Sequence, residues 1–77
     1  MRVDLHRTEV DGLHAMWHVA QHHQVTIRGV ESASDSSCVL RFDAGNYPDL
    51  ASARELHPEL ARLWDAVRHE FWRNLLR

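Results

Sequence analysis

The chain has 77 residues, with nine basic against eleven acidic side chains, a formal charge of −2 and 44% apolar residues. That length holds one small core and excludes a cofactor domain plus a substrate domain. A single cysteine excludes an intrachain disulfide and a thiolate-rich metal site, and no apolar run approaches the roughly 18 residues of a membrane span, so a small soluble domain of a reducing, cytoplasmic compartment is expected.

In chain order, Met1, Val3 and Leu5 alternate with Arg2, Asp4 and His6, which predicts a first strand. Thr8, followed by Glu9 and Asp11, has the form of a helix cap. Val10, Leu13, Met16, Trp17 and Ala20 then fall at helical spacing, predicting an amphipathic helix over residues 9–23 that Gly12 weakens. Residues 24–30 are β-branched, and residues 37–43 hold Cys38, Val39, Leu40 and Phe42, with a serine-rich turn between them; this predicts a hairpin whose Cys38, Leu40 and Phe42 meet the helix layer. Gly45 to Pro48 break the sheet pattern.

Residues 49–57 suit a short helix, with Ser52 and Glu55 as an internal cap and a break at Pro58. The last helix, from Glu59 to about Leu76, should bury Leu60, Leu63, Trp64, Val67, Phe71 and Leu75 along one stripe. The expected fold is therefore a single α+β domain of order β-α-β-β-α-α. In it a three-stranded sheet, mixed because its first crossover is helical, carries helices on one face. So short a chain gains stability from any further contact surface.

All nine basic residues are arginine. Because they are scattered, a GC-rich coding bias explains this more simply than a demand for planar donors. Seven histidines stand at 6, 14, 18, 22, 23, 57 and 69, so acidification should make the chain more basic and its binding pH-sensitive. His14, His18 and His22 recur every four residues and would form a solvent-facing stripe on the predicted helix. A stable zinc site needs three or four ligands, and no carboxylate of that helix joins the stripe, so no metal or cofactor is assigned. Cys38 is read as a buried, inert thiol. No phosphate loop, nucleophile elbow or zinc-protease motif is present, which favours a non-enzymatic role.

Residues 31–59 carry six acids and two arginines, a middle that could complement a basic partner through Asp43 and Asp49. Toward the C-terminus, Asp65 precedes Arg68 and Glu70 precedes Arg73 by three positions, spacing that predicts intrahelical ion pairs and argues against a phosphate-binding stripe. Neither direct nucleic-acid binding nor membrane binding is expected. Trp72 and Leu76, flanked by His69 and Arg73, fall off the buried stripe. An off-core tryptophan beside arginine is the composition of an interface anchor.

In size, acidity and lack of a catalytic motif the chain resembles the small inhibitor proteins of bacterial mobile elements, such as anti-CRISPRs. That resemblance implies a regulator that covers a surface of a larger protein or nucleoprotein complex, and it carries no residues over. The sequence thus predicts a protein-binding module, with Trp72, Leu76, His69, Arg73, Asp43 and Asp49 as the contact set and a homodimer as one form of partner. The alternative is a small histidine-dependent ribonuclease of toxin type, or a divalent-metal-binding regulator.

Overall fold

The computed structural model describes residues 5–20 and 24–75. Four strands, β1 (His6–Val10), β2 (Leu13–Ala20), β3 (Gln24–Ser32) and β4 (Cys38–Arg41), are followed by helix α1 (Leu50–Leu56), a single 3₁₀ turn (Pro58–Leu60) and helix α2 (Ala61–Leu75). The strands form an antiparallel meander in the order β1-β2-β3-β4. The α+β class holds, but the sheet has four strands and is not mixed. The predicted first strand largely falls on residues outside the described set, and β1 begins at His6.

The largest correction concerns the helix predicted over residues 9–23: its described part, residues 9–20, lies in a β-hairpin, and residues 21–23 fall outside the described set. Asp11 and Gly12 both have positive φ, 54° and 78°, the backbone of a two-residue type I′ turn, whose twist matches that of the flanking strands. Gly12 therefore makes this turn and weakens no helix. With the chain extended, Thr8, Ala15 and Trp17 share the buried face of the sheet, and the helical spacing of Val10, Leu13, Met16 and Trp17 is fortuitous.

Two bulges decide which residues face the helices. Trp17 pairs with Ile27 and Met16 with Gly29, so Arg28 is an extra residue in β3. Val30 pairs with Leu40 and Glu31 with Cys38, so Val39 is an extra residue in β4. Each insertion flips the side-chain alternation. Val25, Ile27 and Val30 thus all face the core, whereas Cys38 is turned away from Leu40 and is exposed, contrary to the buried thiol expected.

The core lies between the sheet and the two helices: Ala15, Trp17, Val25, Ile27 and Val30 meet Ala53, Leu63, Trp64 and Val67. Leu60 and Phe71 are partly buried against it, as the stripe predicts. Leu75, expected on the same stripe, is instead 44% exposed, at the end of α2 where it borders a surface hollow with His6 and Val19. One polar line crosses the core edge. The Trp17 indole Nε1 donates to Thr8 Oγ1 at 2.9 Å, and that hydroxyl donates to Glu70 Oε2 at 3.0 Å.

The helical hairpin is held by caps. Asp49, not Ser52, is the N-cap of α1, its Oδ1 accepting from the Ser52 amide at 2.8 Å. At the break before Pro58, the His57 carbonyl accepts from the Leu60 amide at 3.1 Å and from the Trp64 Nε1 at 3.0 Å, which ties the 3₁₀ turn to α2. The predicted intrahelical ion pairs are replaced by tertiary contacts: Asp65 pairs with Arg54 of α1, and Glu70 accepts from Thr8.

Candidate protein-docking site

The chain leaving β4 returns to the sheet at Pro48, whose carbonyl accepts from the Ile27 amide at 2.9 Å, and Asp49 forms an isolated bridge with Thr26. This seats the start of α1 beside the first residues of β3. The Arg54–Asp65 pair then fixes α1 alongside α2. Beyond that pair the helices run out to a groove of about 500 Å³ lined by Val25, Leu50, Ala51, Phe71 and Trp72, with Gln24, Asp49, Arg54, Glu55 and Arg68 on its rims.

Phe71 also borders a second, smaller hollow of about 170 Å³ with His6, Trp17, Val19, Asn74 and Leu75. The two hollows share Phe71, and Leu50, Phe71 and Trp72 of the first with Val19 and Leu75 of the second make up an apolar strip. Trp72 stands 48% exposed in the first hollow, its ring edge-on to Phe71 with centroids 5.8 Å apart. On α2 the positions 68, 71, 72 and 75 follow the three- and four-residue spacing that puts side chains on one face.

Of the residues predicted to contact a partner, Trp72 and Asp49 come together in this groove. Asp49 is also committed inside the protein, with one oxygen on the Ser52 amide and the other accepting from Gln24 at 3.3 Å. The Ser52 hydroxyl and amide, and to a smaller extent Gln24, hold its carboxyl below the ordinary value. His69 and Arg73 are exposed on the outer side of α2 and Asp43 lies in the β4–α1 connection; none of the three lines the groove. Leu76 lies outside the described residues. Sequence reasoning misses Val25, Leu50, Glu55 and Arg68. It also gives Phe71 wholly to the core, although Phe71, partly buried against that core, lines both hollows as well.

Among the described residues, no helix lies on the opposite face of the sheet. His14 and His18 share it, separated by Met16, and His14 Nε2 donates to Glu9 Oε1 at 3.1 Å; His22 lies outside the described residues. No group of three histidine, cysteine, aspartate or glutamate side chains is brought together among the described residues. Arg28 lies over the Tyr47 ring at 5.2 Å from its centroid, and His18 meets the same ring edge-on. Burial first, and then the Arg28 charge, hold the His18 imidazole below its ordinary pKa.

None of the described helices is long and apolar enough to cross a membrane. Comparisons with protein-family models, with curated proteins and with solved structures returned no match.

Proposed function

We propose that this protein is a non-enzymatic binding module that docks on another protein through the strip centred on Trp72, and so regulates that protein by covering part of its surface. The observation that carries this reading is that half-exposed Trp72 lines an apolar groove whose Phe71 also lines the neighbouring hollow. Scattered apolar side chains are ordinary on a protein surface, but a joined apolar patch with polar rims marks a contact site. An aromatic anchor beside arginine is the composition of binding hot spots, and the groove is within the size range that accepts an inserted side chain or short segment.

The test is affinity capture from the native host with wild type, Trp72→Ala and His69→Ala. Capture of a discrete protein that Trp72→Ala loses and His69→Ala keeps supports the module, provided the thermal unfolding of Trp72→Ala stays cooperative. Equal capture by all three variants removes the strip from the function. Cleavage of RNA, or stoichiometric heat on zinc titration, would replace the docking role with a catalytic or metal-dependent one.

A further inference from the structure

The two rims of the groove differ in sign. α1 and its cap supply Asp49 and Glu55, whereas α2 supplies Arg68; Arg54, also on the rim, is occupied by Asp65. A partner of one strong charge would find no complementary field here. A second copy of the same surface would, provided the symmetry axis is the right one.

A two-fold axis running along the groove turns one copy over so that the α1 rim of each lies against the α2 rim of the other. Glu55 and Asp49 then face Arg68 of the other copy, twice over. The in-plane axis at right angles sets acid against acid and is disfavoured. Because the Arg54–Asp65 pair sets the two helices side by side, Trp72, about 10 Å further along α2, and Leu50, about 6 Å back along α1, lie at the same end of the groove. Under the same axis each Trp72 therefore reaches Leu50 and Val25 of the other copy. An interface in which residue i meets residue j and j meets i is what a closed dimer requires.

Resting on the role of this surface as the contact site proposed above, we infer that in the absence of another protein the occupant of this groove is a second copy of the chain, in a two-fold dimer built on Trp72 and on reciprocal Glu55–Arg68 pairs, so that a second copy and any other partner compete for Trp72. Trp72, 48% exposed, lies on the surface this dimer covers.

The inference is tested by static light scattering on the full chain over a dilution series from about 1 to about 500 µM, since self-association is concentration-dependent. Wild type should pass from dimer to monomer within that range, and Trp72→Ala should dissociate at least about tenfold more readily. Glu55→Arg and Arg68→Glu should each weaken the dimer, and mixing the two variants should restore its mass, because both reciprocal contacts of the mixed dimer are then again of opposite sign. Circular dichroism matching wild type assigns each loss to the interface. A wild type that stays monomeric throughout, or a mixture no heavier than its components, overturns the second copy. If a monomeric wild type still captures a foreign protein through Trp72, the docking role survives without the dimer; if neither association depends on Trp72, both fall.

Discussion

Thr8 carries more of the fold than its size suggests. Its hydroxyl accepts from the buried Trp17 indole and donates to Glu70, tying β1, β2 and α2 together through one oxygen. Replacing Thr8 by valine keeps the shape but leaves the indole N–H without its acceptor, a loss of about 1–3 kcal/mol. Thr8→Ser retains the oxygen and should recover much of this. Urea unfolding of the two variants decides the point: a Thr8→Val variant as stable as wild type would mean that the hydroxyl does not matter, and equal destabilisation of the two would give the methyl group as large a share. At Gly12, with φ of 78° and no atom within 4 Å of the place a Cβ would take, the constraint is purely conformational. Gly12→Val should cost more than about 1 kcal/mol, since a β-branched residue resists that backbone; an unchanged midpoint would show that the turn relaxes to another type.

At the scale of elements, the helical half of the fold was legible and the first hairpin was not. The α2 stripe of Leu63, Trp64 and Val67 is long and strongly periodic, and the break at Pro58 follows from the ring's missing donor. In residues 9–23 two periods compete. The apolar set Val10, Leu13, Met16, Trp17 fits a helix, while Leu13, Ala15, Trp17 and Val19 alternate as a strand, and the Asp11-Gly12 pair before them is the hairpin signal that settles it. The bulges at Arg28 and Val39 could not be read, because an inserted residue shows only against its partner strand. α1 is short and depends on its cap. Asp49→Ala should weaken it by about 1 kcal/mol. Because hydrogen bonds lower the Asp49 pKa in the folded state, its contribution is present above the unfolded carboxylate range near pH 4 and fades as pH falls through the lower folded value. The acid limb of an unfolding profile should therefore be shallower in Asp49→Asn; an identical limb would place the acid sensitivity elsewhere.

For the whole molecule, one sheet face is covered by helices and the other bears His14, His18, Arg28 and Tyr47. His18 has a folded pKa below its ordinary value of 6.5, so the folded state favours the neutral ring. Stability is fully expressed above about pH 6.5 and declines as pH drops toward the folded value. His18→Gln should flatten that decline, and a profile indistinguishable from wild type would exclude His18 as its source. The apolar strip was only partly legible from the sequence. Trp72 stands out because it falls off the stripe, but Leu50, Val25 and Arg68 join it through the return of the chain at Pro48 and the Arg54–Asp65 pair, which no local pattern encodes. The three tryptophans give a direct readout, since Trp17 and Trp64 are fully buried at 0% exposure and Trp72 is half-exposed. Acrylamide quenching of tryptophan fluorescence therefore reports on Trp72. If the strip is the working surface, quenching should fall as the protein is concentrated, and Trp72→Phe should be poorly quenched at every concentration. Quenching of wild type that is independent of concentration, and equally independent of any protein it captures, would contradict docking through Trp72.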